Sequence, residues 1–155
     1  MTEHPARRPR SRLPVEKTTV EYLILADSAE ALNGKLYLMG GGWDSMSVTD
    51  ISRPVPMAIA CGVNVPWVDT DDMHVLSLAI ADQDGKEVAP RLQASFKTGR
   101  SPDLERGQPT HVPFAIKAEL VFPGAGTYVI SATVDDNLEA RRKLAFHIRT
   151  PEPHV

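Results

Sequence analysis

The sequence predicts an all-β protein: an antiparallel β-sandwich of about eight strands, immunoglobulin-like or jelly-roll-like in arrangement. Two observations carry this prediction. Many short segments alternate apolar and polar residues with a period of two, and turn-forming residues separate them. No long helical pattern lies between these segments, which argues against a parallel sheet with crossover helices.

The clearest strands lie in the second half of the chain. Residues 112–122 (VPFAIKAELVF) carry an apolar side chain at every second position, and residues 126–134 and 143–149 repeat the alternation. Alternation places one face of a strand in a core and the other toward solvent. The residues expected to share one core are Val112, Phe114, Ile116, Tyr128, Ile130, Leu144 and Phe146.

The first half of the chain predicts further strands of the same kind. They cover residues 20–26, 35–40, 55–63, 73–81 and 87–96. Two short stretches have helical character, residues 28–32 (SAEAL) and 138–144, and the second competes with a hairpin. Because Pro90 and Pro113 lack an N–H group, we expect them at sheet edges or bulges.

Composition and charge describe one soluble domain with a basic extension. The 155 residues are 42% hydrophobic and 24% charged, with a net charge of −3. Residues 1–17 carry five basic and only two acidic residues among three prolines, which predicts a disordered basic arm. The sandwich is expected over residues 18–149, followed by a tail at 150–155.

Targeting and redox signals are missing from this sequence. No apolar run reaches the 18 residues typical of a membrane-spanning helix, so we expect no membrane insertion and a cytoplasmic location. Cys61 is the only cysteine, which excludes an internal disulfide and a cysteine-based zinc site. Its apolar neighbours predict a buried, unreactive thiol.

The segment GGGW at residues 40–43 allows two interpretations. A phosphate-binding loop is not one of them, because neither a helix nor a lysine follows the glycines. In the structural interpretation the glycines kink the second strand where the chain leaves one sheet, and the tryptophan packs over the bared backbone. In the functional one, a surface slot binds a partner or ligand through Gly41, Gly42, Trp43 and Asp44.

Acidic loops suggest a possible calcium site. If every strand crosses the whole sandwich, loops one, three, five and seven share an end, with Asp27 and Glu30 in loop one and Trp67 beside loop three. Calcium binds six to eight oxygens, which aspartates on loops can supply. The candidate ligands are Asp69, Asp71, Asp72, Asp135 and Asp136. Aspartate is also a favoured turn residue, so a solvated acidic rim is the alternative.

Three segments together resemble a known family. They are VEYLILAD (20–27), NGKLYLMGGGWD (33–44) and FPGAGTYVISATVDDN (122–137). The combination resembles a family of small, uncharacterised bacterial proteins over roughly residues 20–148. The resemblance implies a β-sandwich and supplies no catalytic residues. Separately, PGAGTY is similar to the tyrosine corner of immunoglobulin-like sandwiches, in which the hydroxyl of Tyr128 would bond to nearby backbone.

Three functional hypotheses follow, none of them enzymatic. No nucleophile elbow, zinc-binding motif or other catalytic pattern is present, and no cofactor is expected. The first hypothesis is a noncatalytic module that binds a protein partner. The second is a sandwich that binds calcium or a small ligand. The third is an adaptor that holds an anionic surface or nucleic acid through Arg7, Arg8, Arg10 and Arg12.

Overall fold

The computed structural model describes residues 17–151 of the chain. The predicted arm, apart from Lys17, and the last four residues of the predicted tail lie outside the described residues. The four arginines proposed to contact an anionic partner lie there as well.

Nine strands occur within the described part of the chain. They are β1 (Thr19–Leu32), β2 (Lys35–Gly41), β3 (Ser45–Ser47), β4 (Val55–Val65), β5 (Met73–Asp82), β6 (Leu92–Lys97), β7 (Thr110–Leu120), β8 (Gly126–Val134) and β9 (Arg142–Arg149). Two single-turn 3₁₀ helices, Trp67–Asp69 and Leu138–Ala140, precede β5 and β9.

The strands form two sheets, in the orders β2-β1-β4-β7 and β3-β9-β8-β5-β6. All pairings are antiparallel except that of the three-residue β3 with β9. The predicted all-β sandwich is therefore confirmed. The short strand β3 was not anticipated, because its three residues are too few to show a period.

The main core lies between the two sheets and matches the prediction from alternation. Tyr128, Ile130 and Phe146 are buried, and the other predicted members are half-buried and pack against them. The rings of Phe122, Tyr128 and Phe146 have centroids 4.8 to 5.9 Å apart. The Tyr128 hydroxyl donates to the carbonyl of Gly124 at 2.6 Å, which confirms the expected backbone tie.

Proline positions agree with the edge rule but shorten one predicted strand. Pro113 lies in β7, an edge strand whose one partner among the described strands is β4. The strand predicted at residues 87–96 begins only at Leu92, after Pro90. Before it, Glu87 contributes a single bridge to Ala81. Pro90 has no N–H group to donate, so no continuous ladder runs through it.

The helical expectation for residues 28–32 is wrong, because β1 continues through them to Leu32. These residues pair with β2 across a two-residue turn in which Asn33 and Gly34 have φ values of 51° and 72°. Such Asn-Gly turns favour tight hairpins. Cross-strand hydrogen bonds override the weak helical preference of five residues, which is too short for a stable helix.

The expected alternation of loop ends is also wrong for the first loop. Asp27 and Glu30 lie inside β1, and the turn that follows is at the end of the sandwich opposite the β4–β5 loop. The reason is that β2 stops opposite Ala26, about halfway along β1, and the chain then crosses to the second sheet. Counting loops fails because β2 and β3 each cover only part of the sandwich.

Candidate functional site

The hairpin of β1 and β2 extends past its neighbours and forms a separate ribbon, residues 27–39. β1 pairs with β4 only as far as Ala26, so the rest of β1 pairs with β2 alone. The ribbon folds over the outer face of the first sheet, where Ala29 joins a small cluster with Ala26, Ala58 and Ala60. Alanine side chains leave room for this close approach of one layer of backbone to another.

The two faces of the ribbon differ because side chains alternate along each strand. Ala29 is opposite Leu38 and Ala31 is opposite Leu36 on the face toward the alanine cluster, and Leu36 packs against that cluster. The other face carries three cross-strand pairs. They are Ser28 with Met39, Glu30 with Tyr37, and Leu32 with Lys35.

The ribbon exposes apolar side chains to an unusual degree. Tyr37 is 53% exposed and Met39 is 73% exposed, while Leu32 and Leu38 are also open to solvent. Among the described residues, half of the large apolar side chains that are exposed belong to this one hairpin. A concentration of this kind typically marks a surface that contacts another molecule.

The glycine segment lies where the chain leaves the first sheet for the second. The amide of Gly42 donates to the carbonyl of Leu25 in β1 at 2.8 Å, and the amide of His147 in β9 donates to the carbonyl of Asp44 at 2.7 Å. Gly40 and Gly42 have φ values of 59° and 88°, a region that favours glycine. The bend is therefore the sheet-to-sheet crossing that the structural interpretation predicts.

Trp43 follows this bend and is half-buried against the main core. Its indole Nε1 is buried and has no hydrogen-bond partner among the described residues. Gly41, Gly42 and Asp44 around it are exposed. The ring therefore closes one side of the core, and the proposed slot at these four residues stays a prediction.

The opposite end of the sandwich collects several of the predicted acidic residues around one histidine. His74 is buried; its Nδ1 lies 2.7 Å from Asp135 Oδ2 and its Nε2 lies 2.8 Å from the carbonyl of Asp69. Both ring nitrogens face acceptors, which only the protonated ring can satisfy. The second oxygen of Asp135 accepts from the amide of Val75.

The same geometry sets the ionisation of His74. Burial lowers the pKa of the ring, but its hydrogen bonds to Asp135 and Asp69 and their negative charge outweigh burial. The pKa of His74 is therefore raised above its ordinary value, and the ring favours the charged form. The result is an ion pair that fastens the β8–β9 loop to the start of β5.

Arg100 holds the neighbouring loop at this end. Its guanidinium lies 3.6 Å from the ring centroid of Trp67, and its Nε donates to Thr70 Oγ1 at 2.9 Å. Nη2 donates to the carbonyl of Trp67, and Asp71 lies within ion-pair distance. The face of Trp67 is therefore covered by a cation and does not form an open platform for a ligand.

The structure brings the calcium candidates to one end but not into one ligand set. Asp69 accepts a hydrogen bond from Thr18, Asp71 pairs with Arg100, and Asp135 pairs with His74. Within residues 17–151, no three carboxylate, histidine or cysteine side chains are grouped as metal ligands. Asp72 and Asp136 are exposed at this end. The acidic side chains with assigned partners serve the fold.

Two other expectations concern Cys61 and membrane insertion. Cys61 is buried in the main core, and burial raises the pKa of its thiol to about 12, so the thiolate is not formed near neutral pH. Among the described residues there is no helix with the length and hydrophobicity of a membrane span.

With this geometry in place, comparison with known proteins gives the family. A family model described as a family of unknown function, DUF6941, matches residues 21–147. The chain belongs to DUF6941. The match includes the ribbon, the glycine bend and the residues around His74, and it confirms the expected membership of an uncharacterised family. No curated protein matches the sequence.

A solved structure that resembles this DUF6941 chain is the CARDB domain of the PF1109 protein from Pyrococcus furiosus, solved in complex with di-metal ions. The similarity has a TM-score of 0.44 with 10% identity and covers 86% of this chain and 96% of that domain. It is too distant to bear on ligands or partners.

The exposed ribbon is the surface that sequence reasoning missed. The strand at residues 35–40 was predicted, but its apolar residues are consecutive and show no alternation. A continuous apolar run usually indicates a strand that is buried on both faces. One signal in the sequence could have revealed the exposure. The apolar run leads directly into a glycine-rich bend, and glycines of this kind are unsuited to a central strand.

Proposed function

We propose that the protein is a noncatalytic interaction module that binds a protein partner through the exposed face of the ribbon. The observation that supports this proposal is the group of exposed apolar side chains on a two-stranded hairpin, with Tyr37 and Met39 at its centre. Two charged residues on the same face, Glu30 and Lys35, flank them; Glu30 is opposite Tyr37 and Lys35 is opposite Leu32. An apolar centre with a polar rim is the usual anatomy of a protein interface.

The chemistry of these side chains suits protein binding. Tyrosine is enriched among the residues that dominate binding free energy, because it offers a large apolar area together with a polar tip. Methionine adapts its shape to a partner and makes favourable contacts with aromatic rings. Complete burial of one such side chain contributes about 1.5–3 kcal/mol.

The ribbon is also held in place before any partner arrives. Ala29 and Leu36 pack it onto the alanine cluster of the first sheet, and the Asn33-Gly34 turn closes its tip. A surface that is already ordered loses less conformational entropy on binding than a free loop does. This preorganisation distinguishes the ribbon from exposed apolar residues in irregular segments, such as Val121.

The test compares two double variants by affinity capture from the native cell, with recovered proteins identified by mass spectrometry. Tyr37→Ser with Met39→Lys should abolish recovery of a stoichiometric partner. Val68→Ser with Met73→Lys is the matched control, because Val68 and Met73 are similarly exposed but lie far from the ribbon in the sequence. The control should recover the partner as the parent does.

Two further outcomes separate the alternatives. Equal recovery by both double variants excludes the ribbon as the binding surface. A chain that lacks residues 1–17 tests the adaptor hypothesis, since loss of the partner in this chain alone would place the contact on the arginines. The melting temperatures of both double variants must match that of the parent. A loss of binding then cannot be explained by a loss of folding.

A further inference from the structure

We infer that the partner of the ribbon is a second copy of the chain, joined by antiparallel pairing of the two β2 strands about a two-fold axis at Leu38. This inference rests on the proposed function, because it uses the same surface. It adds that the unpaired backbone edge of β2 takes part, as well as the side chains. The pairing joins two ribbons into one four-stranded sheet.

The outer edge of β2 is open for such pairing. Within the described residues β2 pairs with β1 alone, so every second residue directs its N–H and C=O groups away from β1. After Lys35, residues 36–41 (LYLMGG) contain no charged residue and no proline. An apolar edge without these features readily accepts a strand from another chain.

The other edge strands of the described part of the chain carry features that discourage pairing. β7 contains Pro113, Lys117 and Glu119. β6 follows Pro90 and Arg91 and ends at Lys97, while β3 has only three residues. Proline removes a donor, and charged side chains on an edge resist burial by a second strand. If a copy of this chain supplies the strand, β2 is the edge that fits.

The axis at Leu38 centres the pairing on the extended part of β2. It pairs Leu38 with itself, Tyr37 with Met39, and Leu36 with Gly40, whose φ of 59° ends the extended stretch. Beyond it, Lys35 lies opposite Gly41. Tyr37 and Met39 lie on the same exposed face, and the symmetry places the Tyr37 ring of each copy beside the Met39 sulfur of the other, so this contact forms twice. Lys35, the one charged residue of β2, meets glycine and no like charge.

Self-pairing also explains why this edge can stay apolar in a soluble protein. A two-fold contact uses the same strand of both copies, so both open edges are satisfied at once and assembly stops at two. A partner that left this edge open would leave a template for continued aggregation. Glu30 and Lys35 give the exposed face one charge of each sign, so two copies do not repel one another there.

The first test measures the mass of the full chain in solution by light scattering and by sedimentation velocity. We expect a dimer for the parent. Met39→Lys should raise the dimer dissociation constant by at least about 10-fold, because it removes both sulfur–ring contacts and places one lysine of each copy on the edge beside the two-fold axis, where like charges discourage strand pairing. Met73→Lys, which alters a comparably exposed methionine outside the ribbon, should leave the dimer intact.

A second test fixes the register. Leu38→Cys should form a disulfide-linked dimer on mild oxidation, because a residue on the axis lies opposite its own copy at a distance that a disulfide can span. Leu32→Cys, on the same hairpin but outside β2, should not. The native Cys61 is buried and should not interfere.

The outcomes distinguish this inference from the proposed function. A parent chain that is monomeric at about 100 µM overturns self-pairing but leaves the ribbon available to another protein. A dimer that survives Met39→Lys and resists crosslinking at Leu38 also overturns it, since the interface then lies elsewhere. If the ribbon variant in addition still captures its cellular partner, the proposed function fails as well.

Discussion

The acidic end and the ribbon differ in what their side chains already contact. At the acidic end, Asp135, Asp69 and Arg100 are held by neighbours in the same chain. On the ribbon, Tyr37 and Met39 contact mostly solvent. The sequence offered the acidic end as a candidate calcium site, whereas the structure leaves the apolar ribbon open. Residue types show what could bind, and satisfied contacts decide what remains free to bind.

The largest expected change in stability comes from the bend, and it contrasts with a very small change from the ribbon beside it. Trp43→Ala should lower the free energy of unfolding by about 2–4 kcal/mol, because the ring is half-buried against the main core. Met39→Ala should change it by less than about 0.5 kcal/mol, since that side chain is mostly exposed. Urea unfolding of both variants checks this. A Trp43→Ala protein with parental stability but no partner binding would instead support the slot at the bend.

The next effect concerns the guanidinium that covers Trp67. Arg100→Ala should lower the free energy of unfolding by about 2 kcal/mol, because it removes a cation–π contact and hydrogen bonds to Thr70 and Trp67. Arg91→Ala is the control, since Arg91 is exposed and forms a surface ion pair with Glu87. Similar melting temperatures for the two variants would show that the acidic end is not held as described.

The His74–Asp135 pair predicts a specific dependence of stability on pH. Because the pKa of folded His74 is raised above its unfolded value, the pair's contribution is fully present below the unfolded value of about 6.5 and is lost as pH rises through the raised folded value. Asp135→Asn should remove this dependence and cost about 1–2 kcal/mol at pH 6, with a smaller cost at pH 9.

The control for this pair is Asp72→Asn, which changes an exposed aspartate at the same end. Its unfolding curves between pH 6 and pH 9 should follow those of the parent. If the parent's stability does not fall over this interval, His74 is not held in its charged form.

A smaller effect tests the backbone of the bend. Gly42→Ala should destabilise the fold by about 1 kcal/mol, because its φ of 88° suits glycine, and an added Cβ would meet no group of the described residues within 4 Å that could offset the strain. Gly41→Ala should cost less than about 0.5 kcal/mol, since its φ is ordinary and its added methyl would meet neighbours at van der Waals distance. Chemical denaturation of the two variants should reveal the order, and the reverse order would contradict the described bend.

The smallest expected effect is that of calcium. Millimolar calcium should shift the melting temperature by less than about 1 °C, because the carboxylates of Asp69, Asp71 and Asp135 already have partners within the chain. A clear upward shift that disappears in the variant with Asp71→Asn and Asp135→Asn would restore the metal hypothesis. That result would mean that the acidic end exchanges its internal contacts for a cation.

Local pattern was enough to predict the main architecture. The period-two alternation in residues 112–122 and 126–134 identified which side chains enter the core, because alternation is a direct consequence of strand geometry. Pro113 indicated an edge, and the PGAGTY segment indicated the tie between Tyr128 and Gly124. Consecutive glycines indicated a point where the chain leaves a sheet. Each of these signals acts through the residue's own backbone or its nearest neighbours.

The sequence by itself therefore determined most of the strands, the buried faces of those that alternate, and the bend, while the tertiary structure decided which surfaces remain open. Residues 36–39 (LYLM) are apolar throughout, so no alternation could show which of them face solvent. Their exposure depends on the ribbon folding over Ala58 and Ala60, which lie more than 15 residues away. The engagement of Asp135 by His74 likewise joins residues 61 positions apart. Contacts over such distances arise only when the chain packs, and a local pattern carries no record of them.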